Sequence, residues 1–126
     1  QYVREGVYHD PERCAEETKA LLALPVRPTC ILFTDDFSGI GGLNAIAEAG
    51  LRVPEDISVA GYDGIRLASM TNPKLTTYRQ DTTVLGKTAA ARLVELIEHP
   101  KTTLLDRIII PGQFIEGKSI GEIPLE

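Results

Sequence analysis

The chain has 126 residues, 43% of them hydrophobic and 25% charged, a mix able to bury the core of one globular domain. Eighteen acidic residues against thirteen basic ones give a formal net charge of −5, and no cluster of Lys and Arg is present to displace counterions from phosphates, so DNA contact by this chain alone is not expected. No apolar run approaches the roughly 18 residues of a membrane helix, and Gln1 to Glu5 show no basic-then-apolar signal pattern.

In chain order, Asp10-Pro11 pairs an N-cap with proline at the first helical position. Cys14, Thr18, Leu21 and Leu22 then share one face, which predicts a helix to about Leu24, ended by Pro25 and Pro28. Cys30 to Thr34 is a short apolar run of the kind found in strands covered on both faces. Cys14 and Cys30 fit no metal or CxxC spacing and read as reduced core thiols. From Asp36 the period is helical through Ile40, Leu43 and Ala47, with Gly50 as the left-handed stop.

Val53 to Asp56 reads as a turn and Ile57 to Tyr62 as a second buried strand, closed by Asp63-Gly64. One helical turn is expected around Arg66 to Ser69, then a third strand from Leu75 to Tyr78. Thr83 can cap a long helix whose Leu85, Ala89, Leu93, Leu96 and Ile97 share a face and which ends at His99-Pro100. Arg107 to Ile110 and Gln113 to Ile115 are expected as closing strands. This alternation of strands and helices predicts an α/β fold built on a parallel sheet, in which ligands bind beyond the carboxyl ends of the strands.

Three polar groups fall at those ends: Asp35 after the first strand, Asp63 after the second, Gln80 after the third. If the strands are adjacent and parallel, the three converge on one rim. Two carboxylates and an amide suit a ligand rich in hydroxyls, and Tyr62 can stack on the apolar face of a sugar ring. Plainer readings stand beside these: Asp35 or, more naturally, Asp36 caps the following helix, and Asp63 before Gly64 is a common turn residue.

Other chemistries find less support. Gly39, Gly41 and Gly42 follow a strand without the dinucleotide spacing, and there is no Gly-Lys-Ser phosphate loop. His9 and His99 lie far apart and form no evident metal set or catalytic triad. With no nucleophile or cofactor loop to point to, the chain is not expected to be an enzyme or to carry a cofactor or metal.

The stretch RPTCILFTDDFSGIGGLNAIAEAGLRVPEDISVAGYDG, followed by NPKLTTYRQDTTVLGKTAAARLVELI, resembles the lactose-repressor (LacI) family of transcriptional regulators. The run Val53 to Val59, Gly61-Tyr62-Asp63 and Pro73 to Thr77 are its most specific pieces. The resemblance implies a periplasmic-binding-protein-like core of two lobes with an effector cleft between them. It further implies that 1–126 is the C-terminal part of the effector-binding domain, without the helix-turn-helix headpiece and most of the N-terminal lobe. By matching position, Asp35 and Asp63 would contact the effector and Gln80 would sit at the hinge. A carboxylate at 35, where the family usually has Asn, favours a neutral sugar over an anionic effector. The resemblance also implies a cytoplasmic homodimer paired through Ile40, Met70 and Thr71, touching DNA only through the headpiece. A sugar-binding component of a transport system shares the fold and is the main alternative. The helix around Val84 to Glu98 would belong to the mostly absent lobe, leaving its apolar face in need of a partner.

Overall fold

The computed structural model describes residues 1–104 and 106–122. They form two compact units, Gln1–Arg79 with the chain from Phe114 onward, and Gln80–Gln113.

The first unit opens with helix α1 (Pro11–Leu22), strand β1 (Cys30–Leu32), helix α2 (Asp36–Glu48) and strand β2 (Ser58–Asp63). A 3₁₀ turn (Arg66–Met70), strand β3 (Thr76–Arg79) and strand β4 (Gln113–Ile115) follow. The sheet order is β1-β2-β3-β4. The first three strands run parallel, with Cys30 opposite Ser58 and Asp63 opposite Arg79. This is the expected α/β, periplasmic-binding-protein-like architecture, a mostly parallel sheet flanked by helices.

The local causes are readable. Asp10 accepts the Arg13 amide at 2.9 Å, Pro11 follows, and Cys14, Thr18 and Leu21 turn inward. The Gly-rich start of α2 serves close packing and not a phosphate loop: a Cβ at Gly41 would collide with the Pro11 carbonyl, and one at Gly42 with the Phe33 ring. Through these contacts α1, α2 and the sheet share a core of Leu21, Ile31, Phe33, Leu43, Ile46, Ile57, Val59, Ala68 and Leu75. Val59 and Gly61 turn inward along β2, with Ile57 buried just ahead of it, as the strand period of two requires.

Several expectations need correction. The helix α1 stops at Leu22, two residues early. Residues Arg107 to Ile110 pair with nothing as a strand. The strand β1 is not covered on both faces. Its Ile31 is buried, but Leu32 is 76% exposed and Cys30 is exposed as well, so only Cys14 is a core thiol. The reason is that β1 is the sheet's edge and the core lies against one of its faces. A groove of about 370 Å³ runs along it, with Tyr2, Val3 and Gly6 on one wall and Ile31, Leu32 and Phe33 on the other.

The second unit is dominated by helix α3 (Thr82–Glu98), capped by Asp81, which accepts the Val84 amide at 2.9 Å; the expected cap, Thr83, lies inside the helix. No residue of α3 is buried. Its apolar face divides: Leu85, Ala89 and Leu96 line a groove of about 200 Å³ with Leu104, Ile108 and Ile110, whereas Leu93 and Ile97 are exposed. Arg92 holds the returning chain by its ion pair with Asp106 and a 2.9 Å bond to the Leu104 carbonyl. Among the described residues no helix is long and apolar enough to cross a membrane.

Candidate functional site

The carboxyl ends of β1 and β2 carry three aspartates with three different tasks. Asp35, three residues beyond Leu32 at the end of β1, is fully buried and is the N-cap of α2: it accepts the Ser38 amide at 2.9 Å and the Ser38 hydroxyl at 2.6 Å. The backbone decides this. Asp35 is extended at φ −153°, ψ 166°, while Asp36, the residue we expected to cap, is already the first residue of the helix. Burial pushes the Asp35 carboxyl up, but the Ser38 hydroxyl and amide and the His9 amide outweigh it and hold the group below the usual carboxylate range.

Asp36 is fully buried too, and faces the other way. It accepts the Thr77 hydroxyl of β3 at 2.6 Å and the Ile65 amide at 2.8 Å. Burial raises its carboxyl above the usual range, against the opposing pull of the Thr77 hydroxyl and the Ile65 and Gly64 amides. Asp36 thus fixes the loop that follows β2.

Asp63 begins that loop. Its backbone sits at φ 107°, a region costly for any residue with a Cβ, and Gly64 follows at φ 69°. A side chain at 64 would collide with Arg79 of the neighbouring strand, so the strain cannot be moved one residue along. The Asp63 side chain keeps 20% of its surface exposed. The Tyr8 hydroxyl donates to its Oδ2 at 3.2 Å, and His9 Nε2 lies 4.0 Å from the same oxygen. Tyr8 and His9 stack at 4.0 Å, and His9 meets Phe37 of α2 edge-on at 5.0 Å.

The structure therefore brings Asp35, Asp36 and Asp63 together at one rim with Tyr8, His9 and Phe37, an aromatic group that sequence reasoning missed. Its one available signal was position: Tyr8-His9 directly precedes the Asp10-Pro11 helix start, at the same end of the sheet as the strand termini. Tyr62 does not join the group. Being next to Asp63 in a strand it points to the opposite face, where its ring lies 5.7 Å from that of Tyr78. Gln80 belongs to the second unit.

The residues expected at a dimer interface differ among themselves. Met70 is 70% exposed and Ile40 half-buried. The Thr71 hydroxyl is engaged internally, its one proton shared between the Ala68 and Pro73 carbonyls at 3.0 and 2.8 Å while its oxygen accepts the Leu75 amide at 2.9 Å.

A one-core parallel sheet with polar groups gathered beyond its strand ends defines the class of small-ligand-binding α/β lobes. Residues 2–120 match the periplasmic binding protein-like domain, and the chain belongs to that family. Among curated proteins it is 38% identical over 120 residues to a Bacillus subtilis (strain 168) protein named as a probable HTH-type transcriptional repressor, ExuR, covering 95% of this chain and 35% of that protein. Among solved structures it is similar to the Lac repressor dimer bound to operator and the anti-inducer ONPF, at 33% identity and TM-score 0.84, over 93% of this chain and 40% of that one. It is also similar to a LacI family transcriptional regulator from Enterococcus faecium with bound ribose, at 30% identity and TM-score 0.77, over 93% and 42%. The chain thus spans less than half the length of these relatives.

Proposed function

We propose that this chain is the effector-sensing, C-terminal part of a LacI-type transcriptional regulator, and that a neutral sugar bound at the strand-end rim controls DNA binding by the parent protein. The observation that carries the reading is Asp63, a partly exposed carboxylate held on a strained backbone at the end of a central parallel strand. Strain of this kind clusters at ligand sites, and a carboxylate accepting sugar hydroxyls makes charge-assisted bonds of roughly 1.5–3 kcal/mol each. In this reading Asp63 is the direct ligand. Asp35, its oxygens engaged by Ser38, supports it from behind and adds negative charge that disfavours sugar acids and phosphates. Gln80 as a hinge residue rests on the sequence match, and Tyr62, stacked on Tyr78 on the opposite face, takes no part in this site.

In the same reading the protein is a cytoplasmic homodimer that uses the surface around Ile40, Met70 and Thr71, and it meets DNA through a headpiece outside these residues. The repressor relatives support this over a transport component. Titration of the chain with ribose and with a sugar acid, followed by NMR so that millimolar binding is seen, tests the site. Ribose should perturb residues around Asp63, and Asp63→Asn should weaken it about tenfold or more. Equal binding by the Asn variant would refute the assignment.

A further inference from the structure

Residues of the 3₁₀ turn and of β3 line a second recess, of about 310 Å³, which lies wholly within the first unit. Three cations border it, Arg66, Lys74 and Arg79, and no aspartate or glutamate does. On a chain with eighteen acids and thirteen bases this is a local reversal of charge. Arg66 is exposed and Lys74 half-buried, and among the described residues neither side chain enters an ion pair or hydrogen bond. Arg79 lies in register with Asp63, so Arg66 and Lys74 supply the charge that a ligand would meet. The buried Asp36 stands against the wall, since it accepts the Thr77 hydroxyl and the Ile65 amide. It sets one negative charge, already met by those donors, against three positive ones.

We propose that this recess is a second small-molecule site, one that takes a phosphate monoester and is separate from the rim. A phosphate dianion matches a guanidinium and an ammonium together: the first offers a planar pair of N–H donors, the second a compact point charge. Ala68, Leu75 and Ile115 line the remainder of the recess. That apolar wall suits the carbon part of an ester and gives nothing to inorganic phosphate. The rim, with Asp35 and Asp63, repels the same ligand. The two sites therefore sort ligands by charge, and the second does not depend on the first being a sugar site.

The test is an NMR titration of the whole chain with ethyl phosphate and with inorganic phosphate, at ionic strength held constant with chloride. Ethyl phosphate should shift the amides of Gly64, Arg66, Ser69 and Thr77 and saturate in the millimolar range, with inorganic phosphate weaker. Arg66→Gln and Lys74→Gln should each weaken ethyl phosphate about fivefold or more, while Lys87→Gln on α3 leaves it unchanged. Both variants should melt with wild type, because neither side chain makes a contact that the fold uses. A lowered melting point would show the side chain to be engaged internally and would overturn the proposal. So would shifts that never saturate, that appear equally around Lys87 and Lys101, or that survive both substitutions. Shifts centred on Tyr8 and His9 would place the anion at the rim instead. Equal binding of inorganic phosphate would remove the ester from the assignment and refute it as stated.

Discussion

The Asp36 carboxylate accepts the Thr77 hydroxyl at 2.6 Å, although 41 residues separate them in the chain. That bond ties the first turn of α2 to β3, and the same carboxylate holds the Ile65 amide beyond Asp63. The rim is therefore assembled by one buried acid that no ligand needs to touch.

Asp36→Asn should accordingly destabilise the chain by about 1 kcal/mol or more, because the amide keeps one acceptor for the Ile65 amide and the Thr77 hydroxyl would have to turn from donor to acceptor to meet its NH₂. A helix cap would have tolerated this change, since Asn caps about as well as Asp. Urea denaturation of Asp36→Asn beside Asp35→Asn checks the division of labour. A larger loss in Asp35→Asn would contradict it.

Asp63 makes the opposite prediction. Glycine is at ease at φ 107° and aspartate is not. Asp63→Gly should be at least as stable as wild type, while Asp63→Ala, which keeps the strain and loses the bond to Tyr8, should be less stable by roughly 1 kcal/mol. Both should lose sugar binding. Thermal melts with and without ribose read the two quantities together.

Acid should unlock the turn after α2. Arg52 bonds to Asp56 through its guanidinium and its amide, and these contacts lower the Asp56 carboxyl to about 2. A folded-state pKa below the unfolded value of about 3.8 contributes stability that is present above that value and is lost as pH falls towards 2. The urea midpoint of Asp56→Asn should therefore lie below wild type at pH 7 and converge on it near pH 2. A constant gap would show that the group does not titrate as described.

Ser119 is fully buried near the chain's end, accepting the Thr76 amide at 2.8 Å and donating to the Val59 carbonyl at 2.6 Å. Its own carbonyl accepts the Val59 amide at 2.7 Å. Ser119→Ala leaves the Thr76 amide without its acceptor and should cost about 1–3 kcal/mol. Hydrogen exchange should accelerate at Thr76 before it does at Leu43. Uniform acceleration would mean the bond is not local in its effect.

The elements that carried their own punctuation were the legible ones. Asp10-Pro11 placed the start of α1 to the residue, and the run Ile57 to Tyr62 placed β2 within one residue at each end. Where two residues could do one job the sequence was ambiguous: Asp35 and Asp36 are both competent caps, and only the backbone angles decide between them. Arg107 to Ile110 has strand composition, but β-propensity describes fitness for a half-buried pleated surface and supplies no neighbouring strand. At the rim, the aspartates were found from topology, yet Tyr8 and His9 were not, because the left-handed turn at His9 that aims both rings has no pattern in neighbouring residues.

The outer side of β1 has a consequence for how the chain behaves in company. Among the described residues β1 is an edge strand, and its Leu32 is 76% exposed. Natural edges are blunted by lysines, prolines or a bulge, whereas the exposed positions here are Cys30 and Leu32. Any extended apolar segment, including one from another molecule, can lie down in the adjoining groove and continue the ladder. A charged residue in place of Leu32 should therefore reduce self-association at high concentration.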